Sequence, residues 1–119
     1  MESIGPHRSR FWQGLDKLVD GHEIAIDWPR GSTHPRYPNV TYPLDYGYLE
    51  GTCAADGGGI DVWLGSLPVR RATGIVLTVD LLKRDAEMKI LLGCTPEDME
   101  FLLRFHSVLQ AALLVEREE

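Results

Sequence analysis

Residues 42–64, YPLDYGYLEGTCAADGGGIDVWL, hold the pattern that decides the fold. Tyr46–Leu49 and Ile60–Leu64 are short runs of aromatic and aliphatic residues, which favour β-strands. The glycine-rich stretch Gly51–Gly59 between them is typical of a turn, because glycine adopts backbone angles that other residues resist. The sequence therefore predicts two strands joined by a glycine-rich loop.

The segment before these residues is predicted to form a helix, a strand and a long loop. Apolar residues recur at helical spacing across Phe11–Val19, after a candidate N-cap at Ser9. Glu23–Trp28 favours a strand with Asp27 near its end. Prolines and a Gly-Ser-Thr run exclude regular structure in the middle of Arg30–Pro43, so we expect an extended loop there.

The segment after residue 64 is predicted to form two strands and a helix. Ile75–Leu82 and Met88–Leu92 favour strands, and the charged residues Lys83–Glu87 favour the turn between them. Thr95 begins a capping-box pattern, and apolar residues then recur at helical spacing as far as Leu113.

Length and composition fit one domain spanning residues 1–119. The chain has 119 residues, of which 44% are hydrophobic and 25% charged. A helix, several short strands and a final helix indicate an α+β domain. We expect its sheet to curl into a small barrel with the C-terminal helix packed against it.

The charge and hydropathy pattern excludes several classes of partner. A formal net charge of −6 argues against binding to nucleic acid or to an anionic membrane surface. No apolar run approaches the ~20 residues of a membrane span, and the first residues lack the layout of a secretory signal, so we expect a cytoplasmic protein. Cys53 and Cys94 are expected to be reduced thiols, since no neighbouring Cys or His lies at metal-ligand spacing.

Two acidic residues beside the glycine-rich turn are candidate metal ligands. Asp56 and Asp61 bracket three glycines, and two converging carboxylates provide the hard oxygen ligands that Mg²⁺ prefers. The alternative is turn chemistry, in which an Asp only accepts hydrogen bonds from nearby backbone N–H groups.

Other polar residues also have two interpretations. In an extended segment Tyr46 and Tyr48 share a face, so their hydroxyls could donate to an anion, or the rings could simply fill a half-buried strand. Arg36 lies between prolines and could bind phosphate oxygens, or be solvated. For His34 and His106 we expect a surface or helix-face role, because neither has a carboxylate or Cys partner at short spacing.

Taken together, the tyrosine-rich stretch and the aspartate-glycine stretch resemble the soluble family I inorganic pyrophosphatases. That family carries Tyr-Pro-x-Asn-Tyr-Gly-Tyr followed closely by an Asp-Gly-Asp-Pro-aliphatic-Asp metal signature, in the same order and at a similar gap. Weaker likenesses extend from about His22 to about Ser107. They include Asp27 after an early strand, Arg36-Tyr37 in place of a Lys-Tyr substrate contact, and Glu87-Met88-Lys89 in place of Asp-x-Lys.

The resemblance implies a five-stranded, OB-like barrel with flanking helices, a homo-oligomer, and Mg²⁺-dependent hydrolysis of pyrophosphate. It implies these metal ligands: Asp27, Asp56, Asp61 and Glu87. It also implies substrate contacts from Arg36, Tyr42, Tyr46 and Lys89, with Asp61, Tyr46, Lys89 and Arg36 in catalysis.

Several positions depart from the family pattern. Gly58 replaces the middle aspartate of the signature, and Gly59 replaces the following proline. Pro38, Leu82 and the Phe105-His106 pair stand where the family has further functional side chains, and a hairpin that carries a phosphate-binding Arg is absent. The alternative function is therefore a catalytically impaired domain that binds phosphate, a nucleotide or a protein partner.

Overall fold

The computed structural model describes residues 5–118, which form two helices and one six-stranded sheet. The helices are α1 (Gly5–Asp20) and α2 (Pro96–Leu109). The strands are β1 (Ile24–Trp28), β2 (Asp45–Leu49), β3 (Ile60–Leu64), β4 (Ala72–Asp80), β5 (Asp85–Leu92) and β6 (Ala111–Glu116). No helix within the described residues is long and apolar enough to cross a membrane.

The sheet is open and mostly antiparallel. Its strand order is β1-β2-β3-β5-β4-β6, and only β3 and β5 run parallel. The predicted α+β class is confirmed. The predicted five-stranded barrel is wrong, because β6 adds a sixth strand beside β4 and the two edge strands, β1 and β6, do not pair.

One helix packs on each face of the sheet. Val62 and Trp63 are neighbours on β3, so their side chains point to opposite faces. The core on the Val62 face includes Trp12, Leu15 and Val19 of α1, and the core on the Trp63 face includes Met99 and Leu102 of α2. The predicted packing of the C-terminal helix against the sheet is thereby confirmed.

Close approach of β1 and β2 requires a glycine at residue 47. A Cβ atom there would lie 1.9 Å from the carbonyl oxygen of Ala25. Gly47 therefore lets β2 continue from Tyr46 to Tyr48 with both tyrosines on one face.

The helix ends differ from the predicted ones. Ser9 is not an N-cap, because α1 already includes Gly5, and residues 1–4 lie outside the described residues. The capping box at Thr95 is confirmed: its hydroxyl accepts from the Asp98 N–H at 3.0 Å. The prediction of a helix through Leu113 is wrong, since α2 ends at Leu109.

Strand β6 forms where that helix was predicted to continue. Its alternate residues Ala112 and Leu114 pack on the Trp63-face core, whereas Val115 packs on the opposite core. An apolar run this short fits helical and strand periodicity equally well, so only the position beside β4 decides between them.

The turn between β4 and β5 comes earlier than predicted. Asp80 ends β4, and its Oδ1 atom accepts from the N–H groups of Leu82 and Lys83 at 3.0 Å each. The predicted turn over Lys83–Glu87 is therefore wrong at its end, because β5 already begins at Asp85. The predicted loop over residues 30–43 is confirmed, with only an isolated bridge between Thr33 and Thr41.

Candidate functional site

The parallel pairing of β3 with β5 brings the candidate site together. Asp61 on β3 lies opposite Lys89 on β5. Glu87 precedes Lys89 by two residues, so both side chains lie on the same face of β5. The Lys89 Nζ atom donates to Asp61 Oδ2 at 2.6 Å and to Glu87 Oε2 at 2.7 Å. We call these three residues and Tyr46 the Lys89 cluster.

Tyr46 reaches the cluster from β2. Its ring packs on Trp63, with centroids 4.5 Å apart, and the Lys89 Nζ atom lies 5.7 Å from its centroid. The charges of Lys89 and Asp61 both act on its phenol. Burial raises the pKa of the Tyr46 phenol, so it remains a protonated hydrogen-bond donor at neutral pH.

The charge on Lys89 is held in place by its acidic neighbours. The Lys89 side chain is only 6% exposed, whereas those of Asp61 and Glu87 are 28% and 26% exposed. Burial alone would lower the pKa of the Lys89 ammonium, but its interactions with Tyr46, Asp61 and Glu87 outweigh burial and raise it. The ammonium therefore stays charged between two carboxylates.

Asp56 lies at the exposed edge of this cluster, on the glycine-rich loop. Its Oδ1 atom accepts from the Gly58 N–H at 2.9 Å. This hydrogen bond, together with an interaction with Glu87, lowers the pKa of the Asp56 carboxyl. The turn chemistry expected for an Asp-Gly pair thus occurs, and it leaves the Asp56 carboxylate beside Glu87.

Gly58 and Gly59, which replace the aspartate and proline of the family pattern, differ in how much space the structure leaves for a side chain. A Cβ atom on Gly59 would lie 2.6 Å from Cδ2 of Tyr48 and 3.1 Å from the Leu49 carbonyl oxygen. A Cβ atom on Gly58 would meet only the Asp56 carboxylate, at 3.4 Å or more. Packing against Tyr48 therefore accounts for Gly59, whereas nothing in the structure requires a glycine at residue 58.

The carboxylates fit Mg²⁺ by chemistry but do not form a closed cage. Within residues 5–118, no three His, Cys, Asp or Glu side chains are placed to hold one metal ion together. Mg²⁺ is commonly bound through one or two carboxylates, several waters and the phosphates of a substrate. Asp61 and Glu87, with Asp56 beside them, supply such a partial set of ligands. To bind the ion, the Asp61 and Glu87 oxygens would have to give up their hydrogen bonds to the Lys89 ammonium.

A cavity gives access to these carboxylates. It has a volume of about 770 Å³, and Asp56, Asp61 and Glu87 contribute to its wall. Most of the remaining wall is apolar, from Ile60, Leu77 and other side chains of the same strands. Asp56, Asp61 and Glu87 are therefore reached from this cavity, whereas Lys89 and Tyr46 do not line it.

Of the other predicted site residues, Asp27 does not join the cluster, and Tyr42 contacts it through its ring, which stacks on the Tyr46 ring with centroids 5.8 Å apart. Asp27 is exposed on edge strand β1, and no hydrogen bond or ion pair links it to the cluster in residues 5–118. The Tyr42 side chain is only 6% exposed, and its ring stacks on Trp28 and His34. Tyr42 is therefore part of the aromatic core on the Trp63 face.

Arg36 also lies apart from the cluster. It lines a different, smaller pocket together with His34 and Lys83. Its backbone N–H donates to the His34 Nδ1 atom at 3.1 Å. The sequence offered no means of placing this loop side chain, because the loop around it is irregular.

His106 lies on a helix face, as expected, but burial of this face was not predicted from the sequence. It lies on the buried face of α2, where its Nε2 atom accepts from the Trp63 indole N–H at 3.1 Å. Burial, with the charge of Lys89, lowers the pKa of His106 to about 4. It is therefore neutral at pH 7 and cannot supply the positive charge of the lysine that the family carries on this helix. The signal was its spacing from Met99 and Leu102, which places it on the apolar face of the helix.

The fold of the chain is that of a bacterial inorganic pyrophosphatase. The structure of an inorganic pyrophosphatase from Coxiella burnetii matches with a TM-score of 0.52 and 18% sequence identity, over 81% of this chain and 84% of that one. A structure described as an inorganic phosphatase from Anaplasma phagocytophilum matches with a TM-score of 0.39 and 18% identity, over 71% of this chain and 60% of that one. Neither a scan against protein-family models nor a search of curated proteins finds a match.

Proposed function

We propose that this chain hydrolyses pyrophosphate, or another small phosphoanhydride, to phosphate at the Lys89 cluster, with Mg²⁺ as cofactor. The observation that supports the proposal is the convergence of Asp61, Glu87, Lys89 and the Tyr46 phenol, with the two carboxylates in the wall of a cavity. These side chains include the final aspartate of the resembled metal signature. They lie in a fold that is shared with an inorganic pyrophosphatase.

The charge of the substrate explains why a metal ion belongs in the proposal. Pyrophosphate carries several negative charges, and Asp56, Asp61 and Glu87 would repel it. Mg²⁺ bound to these carboxylates would invert the local charge. When bound, the ion polarises phosphoryl oxygens and lowers the pKa of a coordinated water.

The remaining residues of the cluster would act on the substrate directly. Lys89 keeps its charge and offers ammonium protons to a phosphate oxygen that replaces one of its carboxylate partners. The Tyr46 phenol is protonated and can donate to a second oxygen. Both groups would stabilise negative charge as the leaving phosphate separates.

Phosphate release from pyrophosphate tests the proposal. We expect release by the wild-type protein in Mg²⁺ and none in EDTA. Asp61→Asn should lower the rate by about 100-fold or more, since losing one catalytic carboxylate costs on the order of 10²–10⁴ in rate. The matched control is Asp20→Asn, the same change at the exposed end of α1. Equal release by wild-type protein and Asp61→Asn would indicate a contaminating enzyme and overturn the proposal.

A second candidate function is phosphate-compound binding without turnover. Two observations favour it: the Lys89 ammonium already occupies the space between Asp61 and Glu87, and Gly58 removes a carboxylate from the loop. Loss of a general base lowers turnover far more than it lowers affinity. Calorimetric binding of pyrophosphate with Mg²⁺, in protein that releases no phosphate, would select this second candidate.

A further inference from the structure

The outer edge of strand β6 is open within residues 5–118. Strand β6 lies at one end of the sheet and pairs only with β4. The N–H group of Arg117, the residue after β6, donates to the Thr73 carbonyl of β4 at 3.0 Å. Because backbone groups in an antiparallel pair face the partner strand at every second residue, those of Leu113 also face β4. The N–H and C=O groups of Ala112 and Leu114 therefore point away from the sheet.

Strand β6 lacks the features that normally protect a sheet edge. The stretch Ala111–Val115 contains no charged residue and no proline, and its register with β4 runs without a bulge. Natural sheets use charges, prolines and bulges at their edges because an unprotected edge pairs with other chains. The opposite edge, β1, has such protection: a bulge between Ile26 and Trp28 interrupts it at the exposed Asp27. Of the two edges, β6 is therefore the one suited to pairing with a further strand.

An apolar surface accompanies this edge on the α1 face of the sheet. The Leu113 side chain is 59% exposed, and its cross-strand neighbour Leu77 on β4 is also exposed. Phe11 of α1 is exposed too, and with Leu113 it lines a groove of about 890 Å³ between α1 and β6. Exposed apolar side chains that lie together mark an interaction surface. A strand added beside β6 would cover Leu113 and occupy part of this groove.

The β6 edge is complementary to a second copy of itself. In an antiparallel pair with its two-fold axis at Leu113, the outward groups of Ala112 meet those of Leu114 in the second copy. The two Leu113 side chains then meet on one face of the sheet. Glu116, the charged residue of β6, lies opposite Gln110 in this register. The two Glu116 residues are then about 20 Å apart along the strands, a distance at which salt largely screens their repulsion.

We propose that two copies of this chain associate through their β6 edges and form one continuous antiparallel interface between their sheets. A second copy is the occupant that the edge fits, because it supplies an uncharged strand and an apolar side chain opposite Leu113. The two-fold axis uses both edges, so assembly closes at two copies.

The proposed interface is separate from the proposed hydrolysis. The resemblance implies a homo-oligomer but assigns no surface to it, and β6 is additional to the five-stranded barrel that it implies. No residue of β6 lines the cavity beside the Lys89 cluster. Association through β6 can therefore occur whether or not the chain hydrolyses pyrophosphate.

Sedimentation equilibrium of the full chain at increasing concentration tests the inference. We expect the mass to rise from 13.4 kDa to twice that value over the micromolar range. Leu113→Lys should weaken association by about 100-fold or more, because it removes two leucine contacts and places two ammonium groups opposite each other. The matched control is Leu67→Lys, the same change at an exposed leucine in the loop after β3, which should leave association unchanged.

Hydrogen exchange identifies the surface that the two copies use. The N–H groups of Ala112 and Leu114 should exchange rapidly in dilute protein and become protected as the concentration rises. Ala112→Pro removes one of these outward N–H groups and keeps the hydrogen bonds to β4, so it should also weaken association. The Leu113 side chain is exposed, so Leu113→Lys is expected to fold, and melting temperatures would verify this for each variant.

Three results would overturn the inference. The first is a wild-type protein that stays at 13.4 kDa throughout the concentration range. The second is a dimer that Leu113→Lys leaves as tight as the wild type, or in which Ala112 and Leu114 still exchange rapidly, since association would then use another surface. The third is a wild-type monomer that binds an added synthetic peptide of residues 110–117, which would assign the edge to an extended segment of another protein.

Discussion

Replacing Lys89 by methionine tests whether its ammonium balances the two carboxylates of the candidate site. Removing one partner from a buried ion pair costs about 3–5 kcal/mol. Asp61 and Glu87 are each about one quarter exposed, so water screens part of this loss. We therefore expect Lys89→Met to lower the free energy of unfolding by about 2 kcal/mol, which corresponds to a fall in Tm of roughly 6–10 °C for a domain of this size.

The same variant should gain a response to Mg²⁺. Without the ammonium, the Asp61 and Glu87 oxygens are free to bind a cation, and an ion that binds only the folded state stabilises it by mass action. At ten times its Kd, Mg²⁺ would restore about 1.4 kcal/mol. Thermal unfolding with and without Mg²⁺ measures both effects, with Lys17→Met on the exposed side of α1 as the control. A loss below about 0.5 kcal/mol, with a Mg²⁺ response equal to that of the wild type, would refute this reasoning.

Three further predictions concern the loop, the core and the sheet. Gly58→Asp should raise Mg²⁺-dependent phosphate release by about tenfold or more by restoring a carboxylate, whereas Gly58→Asn, of the same shape, should not. His106 has a folded-state pKa of about 4, below its unfolded value, so stability should fall by about 3 kcal/mol as the pH drops from 6.5 to 4. Urea unfolding should show that His106→Gln loses most of this pH dependence, and an equally steep dependence in the variant would exclude His106 as its source. Gly47→Ala should cost about 3 kcal/mol or more because its Cβ would overlap the Ala25 carbonyl, whereas Gly14→Ala in α1, which has no atom within 4 Å of its Cβ, should not destabilise the protein. Similar urea midpoints for the two alanine variants would contradict this account of Gly47.

Local signals in the sequence predicted the elements around the site. The capping box at Thr95 fixed the start of α2 because its two hydrogen bonds depend only on residues three apart. The glycine-rich loop and the strands on either side of it were predicted for the same reason. The end of α2 was not predicted correctly. The residues that follow it form β6 because they pair with β4, and their local sequence preference does not decide between helix and strand.

The candidate site shows the same division between local and distant contacts. The resemblance named Asp61, Glu87 and Lys89, but only the parallel register of β3 and β5 places Lys89 between the two carboxylates. Arg36 was grouped with these residues by the resemblance, whereas the loop carries it to a smaller pocket that it lines together with His34 and Lys83. Loop positions depend on tertiary contacts such as the stacking of His34 on Tyr42, which no spacing in the sequence reveals.

The central claim, that the Lys89 cluster cleaves a phosphoanhydride, is tested most directly by following pyrophosphate with phosphorus NMR in the presence of the protein and Mg²⁺. This measurement observes substrate, product and bound species together. We predict that the pyrophosphate resonance is replaced by that of phosphate in the wild-type sample and persists with Asp61→Asn. A pyrophosphate resonance that remains in the wild-type sample, in protein shown to be folded, would contradict the claim.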